Sequence, residues 1–178
     1  MLSYTEELVS EYYRHLEKDG KPEFFVSEHV HFRGKKKVKG WRDIDILAIG
    51  NTEIHIVQTK SFAIYRRTKK ESIDDVVQLV NESEDFVRRT YDVTNKKIKK
   101  VFIADAGLSK SMMEELKSAH LIDVVKRLKD ITKELFQILL EKYPKMLKEV
   151  GKEESNVTRT LLFLMYSFKQ QLKKAGLF

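Results

Sequence analysis

Cysteine is absent from this chain. That excludes a disulfide scaffold and any thiolate metal site, and it fits a reducing compartment, so a cytoplasmic location is expected. Proline and glycine are scarce, at 2 and 7. Long regular elements with few long loops follow from that shortage. No uncharged run reaches the roughly 18 residues a membrane helix needs, so no membrane partner is expected. Residues 1–20 carry charges throughout and lack the apolar core of a signal peptide. Hydrophobic residues nevertheless make up 42% of the 178 positions, enough for a packed interior.

What is present in excess is positive charge. The formal net charge is +7 and the isoelectric point about 9.4. A surplus of that size suits a polyanionic partner, most simply nucleic acid, although solubility alone is the plainer alternative.

The apolar pattern orders the chain. Residues 5–18 place Leu8, Val9, Tyr12, Tyr13 and Leu16 at helical spacing, with Thr5 as N-cap. Asp19-Gly20 and Lys21-Pro22 end that helix. Three strands are predicted next, in "EFFVSEHVHFR", "WRDIDILAIG" and "EIHIVQTKSF", the last two joined by a tight turn at Gly50-Asn51. A helix capped by Ser72 runs to about Tyr91, a fourth strand occupies "KIKKVFIADAG", and Ser109 caps the following helix. "LIDVV" reads equally as a fifth strand or as more helix. The remainder is helical, with one stripe of Ile131, Leu135, Ile138, Leu139, Met146 and Leu147, and another of Leu161, Leu162, Met165, Phe168 and Leu172. This order predicts an α/β fold with a mixed sheet flanked by helices.

Strand side chains alternate faces, so Asp43 and Asp45 are expected on one face of their strand, and Gln58 and Lys60 on one face of the next. An acid, an amide oxygen and an ammonium at adjacent strand ends form a donor set for a divalent cation beside a phosphate. The plainer reading is ordinary polar residues at strand ends.

Acid, turn, strand and then x-Lys at the strand end resembles the PD-(D/E)xK nuclease superfamily. "DIDILAIG" and "EIHIVQTKS" stand where its central hairpin would, and the flanking helices and "VFIADAG" follow its order. The resemblance covers roughly residues 5–125 and is nearest to archaeal Holliday-junction resolvases and Mrr-type endonucleases. It implies a restriction-endonuclease-like core over 1–125 and a helical extension over 126–178, packed on the core or forming a homodimer surface. It implies a DNA endonuclease using Mg²⁺ or Mn²⁺. Asp45 matches the metal-binding aspartate, Lys60 the motif lysine, and Glu6 the acid of the first helix, with Glu7 and Glu11 as rivals. Gln58 stands where the family has a carboxylate; its amide oxygen and the Thr59 carbonyl are the implied further ligands. Mrr-like enzymes carry the same Q-x-K, which favours a working variant over a dead one. Asp43 is an accessory acid and Gln78 an auxiliary polar residue or simply an exposed helix position.

Three basic runs accompany the motif. Arg33, Lys35, Lys36, Lys37 and Lys39 precede the second strand, and Arg66, Arg67, Lys69 and Lys70 follow the third. Both runs bracket the hairpin, where a duplex backbone would meet them. The third, "NKKIKK", precedes the fourth strand. Trp41 and Phe32 could touch sugars or bases, but a core role is expected for each. His29 and His31 share a strand face and could bind metal, but with no third ligand evident they are expected as a surface pair. His55 is expected on the face opposite Gln58 and Lys60. The rival readings are an inactive DNA-binding module that kept the fold, and a helical interaction protein in which the acids and lysine are incidental.

Overall fold

The computed structural model describes residues 3–34, 40–60, 69–104, 109–118, 121–143, 155–167 and 173–174, with main chain only for 69–72 and 118. The expected DNA contacts Lys35, Lys36, Lys37, Lys39, Arg66 and Arg67 lie outside these residues, as do Met146, Leu147, Phe168 and Leu172. Lys69 and Lys70 are described only as the main chain of a helix.

The first helix, α1 (Tyr4–His15), is capped two residues earlier than expected. Its cap is Ser3, not Thr5, because Glu6 completes a reciprocal capping box: the Glu6 main-chain N–H donates to Ser3 Oγ at 3.3 Å, and the Ser3 N–H to Glu6 Oε2 at 2.6 Å. Thr5 is buried inside the helix. Asp19-Gly20 does more than end a helix. Both residues have positive φ, 53° and 71°, and they turn the two-residue strands β1 (Glu17–Lys18) and β2 (Lys21–Pro22) into an antiparallel hairpin.

Strands β3 (Phe24–Arg33), β4 (Trp41–Gly50), β5 (Glu53–Lys60), β6 (Lys97–Ala104) and β7 (Val124–Arg127) form a five-stranded sheet in sequence order. The first three pair antiparallel and the last two join in parallel, so the fold is α/β with a mixed sheet. The ambiguous "LIDVV" supplies β7, and the 125/126 division expected from the resemblance falls inside that strand. Helix α2 (Lys69–Thr90) starts before Ser72, which therefore does not cap it. Ser109 does cap α3 (Lys110–Ser118), accepting from the Met112 N–H at 3.2 Å. Helices α4 (Leu128–Lys142) and α5 (Asn156–Ser167) follow. No described helix is long and apolar enough to cross a membrane.

Two layers of helix cover the sheet. Val9 and Tyr13 of α1 and Ile131 of α4 pack on Ile46, Ala48, Val57, Val101 and Ile103. On the other face, Ile73, Val76 and Val80 of α2 and Leu116 of α3 pack on Phe102 and Ala104, and Val87 joins Leu47, Ile54 and Ile56. Phe32 is buried as expected, whereas Trp41 is 71% exposed. Helix α5 extends the first layer, with Leu161, Leu162 and Met165 against Leu8, Leu135 and Leu139.

A buried polar network fastens α5 to α1. Thr158, fully buried, donates its hydroxyl to Glu11 Oε2, and His15 Nε2 lies 3.0 Å from the same hydroxyl. Arg14 reaches Glu11 Oε1 at 3.0 Å and Glu28 of β3 at 2.6 Å. Burial pushes the Glu11 carboxyl up, but hydrogen bonds from His15, Thr158, Ser155 and Arg14 outweigh it and hold it down at about 2. Removing one partner strands part of a buried carboxylate, which costs roughly 2 kcal/mol or more. Thr158→Val should therefore lower the urea-unfolding free energy by about 2 to 3 kcal/mol, and the exposed control Thr160→Val by under about 0.5 kcal/mol. Equal effects of the two would mean the network does not hold α5.

Candidate functional site

The hairpin ladder between β4 and β5 runs from Ile49↔Ile54 to Ile46↔Val57 and stops there. Continued, the register would set Asp45 opposite Gln58 and Asp43 opposite Lys60. Side chains take over instead. Asp45 Oδ2 accepts the Thr59 main-chain N–H at 2.6 Å and its hydroxyl at 3.1 Å. Gln58 Nε2 donates to the Asp43 main-chain carbonyl at 2.9 Å. Each group satisfies one main-chain partner, the Asp43 carbonyl or the Thr59 N–H, near the end of the ladder.

The opening is marked on the other neighbour as well. Glu28↔Ile46 and Val30↔Ile44 pair across β3 and β4, which leaves His29 facing Asp45, and His29 has φ 48°. A left-handed conformation in a residue with a side chain costs of order 1 kcal/mol or more and collects at functional sites. Side-chain alternation also breaks here. Ile44 packs with Leu47 on the α2 side, while Ile46 and Ala48 pack on the α1 side. Asp43 and Asp45 therefore do not simply share one face of a regular strand, as strict alternation predicted.

Asp43 instead turns toward α1. His29 Nδ1 lies 3.4 Å from Asp43 Oδ2, and His29 Nε2 lies 3.8 Å from Glu6 Oε2. Glu6 is thus the α1 acid at this opening, fixed there by its part in the capping box. Glu11 is not: it is buried in the α5 network one turn on. Gln78 is exposed and donates to Glu82 at 2.8 Å, within its own helix. His55 bonds Tyr13 and Glu53 on the α1 face, away from Gln58 as predicted. Lys60 ends β5 beside Ala104 of β6, on the same strand face as Gln58.

Sequence reasoning missed His29. It is not half of a surface pair with His31; it bridges the space between Glu6 and Asp43, its Nε2 buried without a hydrogen-bond partner. Nothing in "EHVHF" encodes its positive φ. The legible hint was position: its alternation faces the acidic strand.

Asp45 is 8% exposed. Burial drives its carboxyl up to about 6; the two Thr59 bonds oppose this, and the charges of Glu6 and Asp43 add to it. Three carboxylates near one opening repel one another, and a cation would relieve that repulsion. The oxygens present are hard donors, and one or two carboxylates with water suffice for Mg²⁺. Among the described residues no three His, Asp or Glu side chains already converge as a metal cage. Gln58, 2% exposed, has its nitrogen tied to the Asp43 main-chain carbonyl.

No family model and no curated protein matches this chain. Among solved structures it is similar to a crystal structure described as a protein of unknown function, AF1548, at 14% identity and a TM-score of 0.46, over 97% of this chain and 79% of that one. That description names no activity.

The raised carboxyl of Asp45 has a stability consequence of definite sign. Its ionisation is harder in the folded chain than in the unfolded one, so the ionised form destabilises the fold. The penalty is complete above about pH 6 and vanishes as pH falls below the ordinary carboxylate value near 4. In metal-free buffer, Asp45→Asn should stabilise the protein by about 2 to 3 kcal/mol at about pH 8 and leave it near wild type at about pH 4. Urea unfolding at both pH values checks this; a variant destabilised at the higher pH would refute the picture.

Proposed function

We propose that this chain is a metal-dependent DNA endonuclease of the PD-(D/E)xK type, hydrolysing phosphodiester bonds at the opening between β4 and β5. The observation that carries the reading is the side-chain bonding where the ladder stops, Asp45 to Thr59 and Gln58 to the Asp43 main chain, with Glu6 on the α1 side near enough for its charge to act on Asp45 and with Gln58 and Lys60 on the α2 face of β5.

Asp45, Glu6, the Gln58 amide oxygen and the Thr59 carbonyl are the residues that would hold Mg²⁺ or Mn²⁺. Such an ion, when bound, polarises a phosphoryl oxygen and lowers the pKa of a coordinated water. The protein's part is positioning and charge. Thr59 fixes the Asp45 carboxylate through two hydrogen bonds. Lys60 places an ammonium at the strand end, where it offsets charge that develops on the phosphate and orients the attacking water. Arg33, exposed at the end of β3, and the basic runs on either side of the hairpin hold the DNA backbone. Two sites in a homodimer would suit cleavage of both strands.

A second reading has its own support. Gln58 is engaged by the Asp43 main chain, a purely structural task, and the family's second carboxylate is missing. A chain that kept the fold and the basic surface as an inactive DNA-binding module would look the same.

Cleavage separates the two. Plasmid, linear duplex, four-way junction and single-stranded DNA are incubated with Mg²⁺, Mn²⁺ or EDTA. Wild type should cut at least one substrate with metal and none with EDTA. Lys60→Ala should cut about 100-fold more slowly or worse while keeping its circular dichroism spectrum. Metal-independent binding without cleavage would establish the inactive module, and full activity in Lys60→Ala would remove that lysine from the site.

A further inference from the structure

Trp41 is the only tryptophan of the chain, and it is 71% exposed. The sequence predicts a core residue, since a ring of that size ordinarily stabilises by burial. Its neighbours on β3 and β4 show that burial was available. Phe32, opposite Arg42, is 2% exposed and packs on the α2 side, and Arg42 follows it there to meet Glu82 of α2 at 3.1 Å. Trp41 alternates to the other face, which is the face Asp43 takes, two positions along the same strand. That spacing is about 7 Å.

The ring is not loose. Arg33, its ladder partner across β3 and β4, lies with its guanidinium carbon 5.8 Å from the ring centroid. A cation on one ring face orients the indole and leaves the other face open. The cation beside the ring is Arg33, and the chain as a whole carries a formal net charge of +7. An exposed indole backed by a guanidinium is a poor fit to an apolar protein face. It fits a flat π-system tethered to anionic phosphate.

We infer that Trp41, backed by Arg33, is a stacking platform for one unpaired nucleobase. The substrate class is then nucleic acid with single-stranded character beside the candidate site: a single strand, a flap or a branched end rather than continuous duplex. A base in an intact helix has both faces covered by its neighbours, so only an unpaired or extruded base can use the ring. This inference rests on the nucleic-acid reading above and narrows it.

The sole tryptophan makes the test direct. In EDTA, so that nothing is cut, intrinsic emission is followed while an oligothymidine, a blunt duplex of equal length or a flap substrate is added; anisotropy of the labelled DNA reports binding separately. The oligothymidine and the flap should quench the emission, and the blunt duplex should bind without quenching it. Trp41→Ala should weaken oligothymidine binding about tenfold or more, Trp41→Tyr should retain most of it, and duplex binding should be unchanged in both. Bound oligothymidine without quenching, or undiminished binding by Trp41→Ala, overturns the platform and leaves the DNA reading standing. A change confined to the sedimentation of Trp41→Ala would instead make the ring a contact between copies and also overturn it. Binding of no DNA at all would remove both.

Discussion

A β-ladder that stops short is the constraint on which the rest of this molecule depends. Between Ile46↔Val57 and the ends of β4 and β5, paired main-chain groups give way to side-chain bonds from Asp45 and Gln58. An unpaired buried peptide group costs roughly 1 to 3 kcal/mol. Those two residues therefore have a structural task that any functional role must share. Asp45 performs it as a buried carboxylate among other acids, an arrangement that is poor for stability at neutral pH. A chain selected for stability alone would place an asparagine there. A buried acid bonded to Thr59 beside the charges of Glu6 and Asp43 is a physical argument for a site.

The opening has support on both sides. Glu6 reaches it because Ser3 caps α1, and α1 is set on the sheet by Val9 and Tyr13. The same helix is gripped from behind by α5 through Thr158 and by β3 through Arg14 and Glu28. The position of one site acid is thus coupled to the C-terminal helices. They pack on α1 as a continuation of the core.

The central strands were legible because each alternates apolar residues between punctuating glycines, and because burial on both faces leaves little choice of register. The parallel strand β6 was legible from its continuous apolar centre, Val101 to Ala104. Local chemistry was read less well. Ser3 outcompetes Thr5 as a cap only because Glu6 stands three residues after it, a pattern present in "SYTE". Asp19-Gly20 is a strong hairpin signal, yet the flanking strands are two residues each and carry no alternation to announce them. Asp45, Gln58 and Thr59 were singled out by the resemblance to a nuclease motif; the structure bonds Asp45 to Thr59 and Gln58 to the Asp43 main chain. His29 and the exposure of Trp41 were not legible. Both follow from a break in alternation around Asp45, and strict period-two reasoning has no means to foresee such a break.

The central claim is that this opening holds a divalent cation through oxygens that include the Gln58 amide. Calorimetric titration of Mg²⁺ and Mn²⁺ into wild type and Gln58→Glu tests it without reliance on cleavage. The added carboxylate would sit about 2 Å from the ion, the usual ligand distance, so the variant should bind each metal more tightly, by about tenfold. Wild type that binds neither metal, or two proteins with equal affinities, would contradict the account.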